Sequence, residues 1–248
     1  FSTTLGTNNL RFGLNAGDSI ASGGNYNVCI GDEAGTAVST GDQNTLVGYR
    51  AGTAVNTSVN NVAVGMDSML TNSTGDNNVA VGREALKRLT TTNNNVAVGS
   101  ESLKETITGT QNVAVGHTAG QYATTADNST FIGFQAGQGI DGTKLTGNSN
   151  TAVGASAGLL LQGAAASNTL VGAGAGDAIT TGVNNTAVGF ESLSAAAGTA
   201  NTALGIQTGL VLTGSENVLI GNVAGTSFTD ADQNVAVGSG ALFTDVKG

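Results

Sequence analysis

The chain has 248 residues, of which 39 are glycine and none is proline, and its formal net charge is -9. This composition excludes a collagen-like triple helix, and the acidic balance argues against nucleic-acid binding and against anionic membrane surfaces. No apolar run approaches the length that membrane insertion requires. Only 4% of the residues are aromatic and 10% are charged, so we expect a thin core of small side chains.

A nine-residue pattern recurs from end to end, and it is clearest in residues 78–86, which read NVAVGREAL. If its glycine is taken as the anchor, there are fourteen copies, spaced by 18, 17, 17, 17, 17, 17, 17, 21, 18, 17, 16, 16 and 17 residues. A fixed short period is typical of a solenoid rather than of separate globular domains. The anchors are Gly13, Gly31, Gly48, Gly65, Gly82, Gly99, Gly116, Gly133, Gly154, Gly172, Gly189, Gly205, Gly221 and Gly238.

The three residues before each anchor form a short, mostly β-branched apolar run such as Val-Ala-Val. Such a run predicts a strand that is buried on both faces, and the recurrent glycines argue against a helix. The anchor glycine itself predicts a sharp bend or a close backbone approach. We therefore predict an all-β fold, a parallel β-solenoid (β-roll) of about 14 coils with a ~17-residue repeat.

Asparagine lies four residues before the anchor in thirteen of the fourteen copies, and Ser129 is the exception. The same residue in the same slot predicts an amide ladder, in which each side chain hydrogen bonds to those of the coils above and below. The predicted ladder comprises Asn27, Asn44, Asn61, Asn78, Asn95, Asn112, Asn150, Asn168, Asn185, Asn201, Asn217 and Asn234.

In chain order, residues 1–248 are one repeat array, which we interpret as a segment of a longer chain. Residues 1–26 are an imperfect entry coil, because Arg11 and Phe12 replace the small and valine slots. Residues 27–137 are regular 17-residue coils, residues 138–149 are a loop insertion, and residues 150–248 are further coils.

Two further slots recur between the copies. A glycine three residues before the repeat asparagine, as at Gly41 and Gly75, predicts a turn with positive φ. An apolar residue seven positions after the anchor is expected to start the second side of each coil. That slot holds Ile20, Val38, Val55, Leu89, Ile140, Leu161, Ile179, Leu212 and Phe228, more weakly Ala123 and Ala196, and is broken by Asn72, Thr106 and Asp245.

The spacing of 21 residues between Gly133 and Gly154 places extra residues within 138–145. Insertions in solenoids form loops on one face, and such loops often carry function. If this segment contacts a receptor, we expect Ile140, Asp141, Thr143 and Lys144 to take part. Deletion of residues 139–142 would restore the 17-residue spacing and is expected to leave the fold intact.

Residues suited to catalysis or metal binding are sparse, and we expect no enzymatic activity and no cofactor. His117 is the only histidine, in a slot that varies freely, and it is expected to be exposed. Cys29 is the only cysteine and occupies a small slot, so it is expected to be a buried apolar residue that forms no disulfide.

Three carboxylates, Asp67, Glu84 and Glu101, share the second slot after their anchors in consecutive coils. A ridge of this kind can hold a cation or perform acid–base chemistry. A solvated face neutralised by Arg83, Lys87 and Lys104 is the favoured interpretation.

The unit Asn-[Val/Thr]-Ala-Val-Gly-x-x-[Ala/Ser]-[Gly/Leu] resembles repeats in long tail fibres of bacteriophages. It is also similar to the head repeats of trimeric autotransporter adhesins, whose unit is shorter but has the same apolar-Ala-apolar-Gly core. The resemblance covers Asn9 to Leu242 and implies a parallel homotrimer of β-rolls with a receptor-binding surface. The longer period of this chain favours the phage fibre.

A homo-oligomer is also expected from the residues, because a narrow coil cannot bury both faces of its apolar strand and another copy is the simplest cover. The resemblance implies a structural, receptor-facing shaft of a virion tail fibre that functions in host attachment, outside the cell. Its partners would be other virion or tail proteins and a host receptor, either glycan or protein. The alternative is the head domain of a trimeric adhesin on a bacterial surface.

A third possibility is a solenoid carbohydrate enzyme similar to a phage depolymerase. Such an enzyme needs clustered carboxylates in a groove and aromatic residues for sugar stacking. The chain has no tryptophan and three tyrosines, and its carboxylates are scattered, so the enzyme is disfavoured.

Overall fold

The computed structural model describes residues 6–227 and 229–243. These residues belong to two units, residues 1–125 and residues 126–248, each of which is a parallel β-solenoid. The spacing is roughly 17 residues, there are about 13 turns in all, and no helix occurs in the described ranges. The predicted all-β solenoid fold is therefore confirmed.

Every strand consists of the three residues that precede an anchor glycine, as the repeat predicts. The first unit contains β1 (Leu10–Phe12), β2 (Val28–Ile30), β3 (Thr45–Val47), β4 (Val62–Val64), β5 (Val79–Val81), β6 (Val96–Val98) and β7 (Val113–Val115). The second unit contains β8 (Thr130–Ile132), β9 (Thr151–Val153), β10 (Thr169–Val171), β11 (Thr186–Val188), β12 (Thr202–Leu204), β13 (Val218–Ile220) and β14 (Val235–Val237).

Within each unit, every strand pairs in parallel with the next strand along the chain, and equivalent slots lie side by side. In the first unit Ala80 is the partner of both Ala63 and Ala97. In the second unit Thr169 is the partner of Thr186. The repeat therefore stacks slot upon slot, so any residue type fixed in one slot forms a continuous row along the unit.

The anchor glycine is required by both backbone conformation and space. Gly48 has a φ of 134°, which side-chain-bearing residues rarely adopt, and a Cβ there would lie 2.7 Å from the carbonyl oxygen of Gly65. Gly65 repeats the arrangement, at 2.6 Å from the oxygen of Gly82. Successive coils thus approach each other closely at their anchors, and the predicted bend and close approach are both present.

Three further positions in each coil have left-handed backbone conformations, and most of them are not glycine. Around Gly82 they are Asn77 (φ 57°), Glu84 (φ 58°) and Leu86 (φ 48°). Such conformations are unfavourable for L-residues. Hydrogen bonds between coils hold them, since Glu84 N–H donates to Met66 at 2.9 Å and Leu86 N–H to Ser102 at 3.1 Å.

The prediction of positive φ at the linker glycines is wrong. Gly41 and Gly75 are outside that region, and the left-handed conformation belongs instead to the residue just before the repeat asparagine, such as Gln43 (φ 59°). The glycine is required for space, because a Cβ at Gly41 would lie 2.5 Å from the carbonyl oxygen of Ser58.

The core of each coil is a thin layer of inward side chains. In the coil of Gly82, the residues Ala80, Ala85, Leu86 and Leu89 have no exposed surface. The slot seven residues after the anchor is buried, as predicted, at Ile20, Val38, Val55, Leu89, Ala123, Leu161, Ile179 and Leu212. Phe228 and Asp245, which were assigned to the same slot, lie outside the described residues.

Two assignments to that slot are wrong, and both fall in coils whose length differs from 17 residues. Ile140 is only half-buried, and the fully buried residue of its coil is Leu145. Ala196 is exposed, and Ala197 is buried in its place.

Asn72 and Thr106, the polar residues that break this slot within the described ranges, are also buried. The Asn72 side chain is satisfied by donating to the carbonyl of Gly75 and accepting from its N–H.

Burial of the strands on both faces, which the apolar run predicted, is not found within one chain. The middle residue of β5 is fully buried, whereas Val79 and Val81 on either side of it are only half-buried. Alternate residues of a strand point to opposite faces, so the coil interior covers one face and leaves the other on the outside.

The entry coil shows how a charged residue is accommodated in the inward slot. Arg11 occupies the middle position of β1, beside Cys29. Its Nε donates to the carbonyl oxygen of Ala16 at 2.5 Å, and its Nη2 pairs with Asp18 at 2.5 Å. The guanidinium is thereby paired although its stem lies in the core slot.

Candidate functional site

The repeat asparagines form a column of hydrogen bonds inside each unit. Asn44 donates its backbone N–H (3.0 Å) and its Nδ2 (3.1 Å) to Oδ1 of Asn27 in the preceding coil. Its Nδ2 also donates to the carbonyl oxygen of Ser58 in the following coil, at 2.8 Å. Each amide therefore connects three coils, which is more than a ladder of side chains alone. The full pattern recurs at Asn61, Asn95, Asn168, Asn185, Asn201 and Asn217.

The column changes at Ser129, the one copy without asparagine. Asn150 donates its backbone N–H to Ser129 Oγ at 3.2 Å, and its Nδ2 donates instead to the carbonyls of Gly147 and Ala165. The Ser129 hydroxyl thus still accepts the backbone N–H of Asn150, but the hydrogen bond between two side-chain amides is lost at this position. Because these amides are buried and hydrogen bonded to one another, their role is to hold the coils together.

A second column of polar side chains was missed in the sequence. Two residues before the repeat asparagine, a carboxylate or amide accepts a hydrogen bond from the backbone N–H one coil earlier. Asp42 accepts from Asn25 at 2.6 Å, Asp76 from Val59 at 2.8 Å, and Asp232 from Ser215 at 2.6 Å. Asp or Asn recurs at this slot, which was a signal in the sequence, although hydroxyl residues replace it in some copies and Val59, Ala166 and Val183 interrupt it.

The insertion forms one tight turn, and it brings the four predicted contact residues together. Ile140 and Thr143 form an antiparallel bridge, and Lys144 Nζ lies 3.0 Å from Asp141 Oδ1. Asp141, Gly142 and Thr143 are exposed, whereas Ile140 and Lys144 are half-buried. A Cβ added at Gly142 would contact nothing within 4 Å, so the tip of the turn projects away from the coils.

The base of the turn is fixed to the following coil. Gly139 N–H donates to Leu159 at 2.9 Å, Gly163 N–H donates to Lys144 at 3.0 Å, and Thr146 N–H donates to Gly163 at 2.8 Å. Leu145 is fully buried directly after the turn. The insertion is therefore a projecting turn on a fixed base.

Comparison with the coil of Gly205 identifies which residues are extra. That coil reads GIQTGLVLTG, and the coil of Gly133 gives GFQAGQGLTG when residues 140–144 are omitted. Leu145 then takes the place of the buried Leu212. The inserted segment is thus residues 140–144, which lie within the range 138–145 that the spacing predicted.

The ridge of carboxylates is neutralised by neighbouring cations, as predicted, but it is not the solvated face that was expected. Asp67 is buried, and Glu84 and Glu101 are half-buried. Lys104 Nζ lies 2.6 Å from Glu84 Oε2 and 3.2 Å from Glu101 Oε2. Lys87 Nζ lies 3.0 Å from Glu84, and Arg83 pairs with Glu101. The hydrogen bond from Lys104, together with Lys87, lowers the pKa of Glu84 to about 2 in spite of partial burial.

The third carboxylate of the ridge, Asp67, is paired with an arginine. Asp67 accepts two hydrogen bonds from Arg50 of the preceding coil, each of 2.7 Å, and is itself buried. The guanidinium of Arg50 also lies 5.1 Å from the centre of the Tyr49 ring. All three carboxylates therefore have cationic partners, and their arrangement ties coils together.

Other reactive groups lie where the sequence predicted. Cys29 is fully buried, and burial raises the pKa of its thiol to about 11. His117 is exposed. In the described ranges, no three His, Cys, Asp or Glu side chains converge on a possible metal position, and no cavity or deep cleft is present. The described residues contain no helix that is long and apolar enough to cross a bilayer.

The outer face of the strands consists of the first and third strand residues and the residue after the anchor, and it exposes many apolar side chains. In the coil of Gly205 these are Thr202, Leu204 and Ile206, and Leu204 and Ile206 are 48% and 53% exposed. In the second unit no charged residue occupies any of these slots, whereas the first unit carries Asp32 and Arg83 there.

Comparison of the chain with protein-family descriptions, curated proteins and solved structures gives no match.

Proposed function

We propose that this chain is a structural shaft segment of a homotrimeric bacteriophage tail fibre, on the outside of the virion and turned toward a host receptor. The observation that carries the proposal is the outer face, where the third strand residue is apolar in every coil, because a water-facing solenoid has no need of a continuous apolar row. The resemblance of the repeat to phage fibre repeats supports the same conclusion.

The size of the outer face agrees with contact between copies. Strands ~4.8 Å apart, with five residues each at ~3.3 Å, give roughly 550 Å² for the seven strands of one unit. A standard interface buries about 800 Å² per partner, so one unit alone is too small and the two units together are sufficient.

Parallel packing of identical chains suits rows in which the same residue types recur. Each chain presents the same rows of side chains to its neighbour. In a closed symmetric assembly the rows of every chain are therefore buried in the same way. The choice of three-fold symmetry rests on the resemblance. Because the covered surface is large and apolar, the trimer is expected to be obligate and the free monomer poorly folded.

The receptor contact is proposed to include the turn formed by residues 140–144. This turn projects from a regular surface and exposes Asp141 and Thr143 on a fixed base. Charged and hydroxyl groups of this kind can hydrogen bond either to a glycan or to a protein. Neighbouring virion proteins are the other expected partners.

The alternative function is the head domain of a trimeric adhesin on a bacterial surface. The same fold and the same outer face serve both functions, and the longer repeat favours the phage fibre. Labelling of the protein on phage particles and on bacterial cells, observed by electron microscopy, separates the two. Labelled fibres on particles are expected, and label confined to cell surfaces would reverse the assignment.

Native mass measurement at micromolar concentration tests the assembly. A trimer is the expected result. A stable, folded monomer would contradict the burial of the outer face between copies, and a stable dimer would contradict three-fold symmetry.

A further inference from the structure

A regular repeat leaves the register between associating copies poorly defined. The first and third strand residues differ little between coils, as Val79 and Val81 are followed by Val96 and Val98 and then by Val113 and Val115. A slip by one coil moves a neighbouring copy only ~4.8 Å along the sheet and presents it with nearly the same rows. These two slots alone therefore specify the register poorly.

The slot directly after the anchor glycine is different, because it changes from coil to coil. In the second unit it runs Phe134, Ala155, Ala173, Phe190, Ile206, Asn222 and Ser239. The two phenylalanines and the isoleucine are 53%, 48% and 53% exposed, and both alanines are exposed. The slot borders the third strand residue on the outer face, with the anchor glycine between them.

The sequence of side-chain sizes in this slot does not repeat. Two exposed rings stand three strand spacings apart, roughly 14 Å, over a floor that consists of Ala155 and Ala173. A copy displaced by one coil brings one ring to the level of Ala155 in place of another ring. It brings the second ring to the level of Ile206. Unequal packing of this kind distinguishes one register from its neighbours.

We propose that the residue after each anchor glycine sets the register in which copies associate. This inference rests on the proposed homotrimer. In the second unit Phe134, Phe190 and Ile206 act by shape. In the first unit the same slot also varies from coil to coil and includes Asp32 and Arg83. The occupant of the face is a second copy of this chain, since the uncharged face of the second unit requires no charge on its partner.

Disulfide mapping between copies tests the proposal. Cys29 is first replaced by alanine, and single cysteines are placed on the outer face as Val153→Cys, Val171→Cys and Val188→Cys in separate chains. The three chains are co-expressed and oxidised. Mass spectrometry of the linked peptides then gives the ratio of same-coil to adjacent-coil links, because a disulfide requires closely approaching backbones.

The decisive variant changes Phe134, Phe190 and Ile206 to alanine in all three chains, which removes the large side chains from the slot. It is called the levelled variant. The matched control changes Val211 and Phe243, which are 40% and 52% exposed outside the outer face, to alanine. Same-coil links are expected to dominate in the parent and in the control. In the levelled variant the ratio of same-coil to adjacent-coil links is expected to fall several-fold.

An unchanged ratio in the levelled variant overturns the register assignment and leaves the proposed trimer standing. An oligomer that forms no link at any of the three positions overturns the placement of the contact on this face. If native mass shows the unmodified chain to be a folded monomer, the proposed function fails together with this inference.

Discussion

Phe131 and Gly137 share one volume in the core of the coil of Gly133. The ring of Phe131 is fully buried, and it fills the space that a Cβ at Gly137 would need. Leu46 and Gly52 have the same relationship, since a Cβ at Gly52 would lie 2.6 Å from Leu46 Cδ2. Where the strand slot is alanine, as at Ala80, the glycine slot can hold a large side chain, as at Leu86.

This exchange of volume predicts strong coupling between the two slots. Phe131→Ala is expected to lower the free energy of unfolding by about 3–5 kcal/mol through the cavity that it leaves. Gly137→Leu alone is expected to destabilise through overpacking, whereas the double variant recovers most of the loss. Leucine is accommodated in that slot at Leu86 with a φ of 48°.

Urea denaturation of the four proteins measures the coupling energy. Gly176→Leu combined with Phe131→Ala is the matched control, because Gly176 packs against Leu170. Losses that simply add in the Phe131–Gly137 pair would show that the two residues do not share space.

The inward strand slot is expected to reject charge. Ala80 has no exposed surface and pairs with Ala63 and Ala97, so Ala80→Glu buries a carboxylate without a partner. A loss of about 4 kcal/mol or more is expected. Thr91→Glu, at an exposed linker position, is the control. Thermal melting followed by circular dichroism decides, and normal melting of the Ala80 variant would show that this slot tolerates water.

Adjacent asparagines are expected to differ in their contribution. Asn78→Ala removes the acceptor of the Asn95 N–H and the donor to the Thr92 carbonyl, both buried, at a cost of about 2–3 kcal/mol. Asn77 is exposed with a φ of 57°, so Asn77→Gly should be nearly neutral. Denaturation midpoints compare the two variants, and equal losses would argue against the buried column as the source of stability.

Deletion of residues 140–144 is expected to leave the second unit folded, with a 16-residue coil matching that of Gly205 to Gly221. Deletion of residues 139–142 restores 17 residues but moves Leu145 one position from the buried slot of that coil, so it should be less stable. Melting temperatures test the order. Host adsorption by phage carrying the first deletion tests the receptor contact, and unchanged adsorption would remove the turn from consideration.

The ion pairs of Glu84 predict a dependence on acid. The pKa of Glu84 falls from an ordinary 4.5 to about 2, first because of Lys104. A lowered folded pKa means that this stabilisation is complete above pH 4.5 and is lost as the pH falls toward 2. The partly solvated pair is expected to contribute about 1 kcal/mol or less.

A double-mutant cycle of Glu84→Gln and Lys104→Met, measured by urea denaturation at pH 7 and near pH 2, gives the pairwise term. Coupling at pH 7 that disappears near pH 2 is the expected result. Coupling of equal size at both pH values would show that the contact is not ionic.

The repeat itself determined the strands, the parallel stacking and the inward position of residues such as Ala80. A short period leaves each strand only one set of partners, the equivalent residues one period away, so local sequence and long-range pairing carry the same information. The burial of Cys29 and the pairing of Glu84 with Lys104 followed from slot position for the same reason.

Positions where the spacing varies could not be read from the sequence. Counting seven residues from the anchor selected Ile140 and Ala196, whereas Leu145 and Ala197 are the buried residues. The inward residue is chosen by how the backbone of a linker of altered length bonds to the neighbouring coil. The conformation of Gly41 was predicted wrongly because a glycine can be required either by a positive φ or by lack of space for a side chain. Only the position of the Ser58 carbonyl shows that the second reason applies here.

The sequence alone determined the period, the strand positions and the column of asparagines, because each repeats in a slot that must stack upon itself. The tertiary structure decided what the repeats do not share: the turn at residues 140–144, the exchange of volume between Phe131 and Gly137, and the outward position of Val79 and Val81. These features depend on the shape of a narrow coil, whose interior has room for one face of each strand and leaves the other face outside.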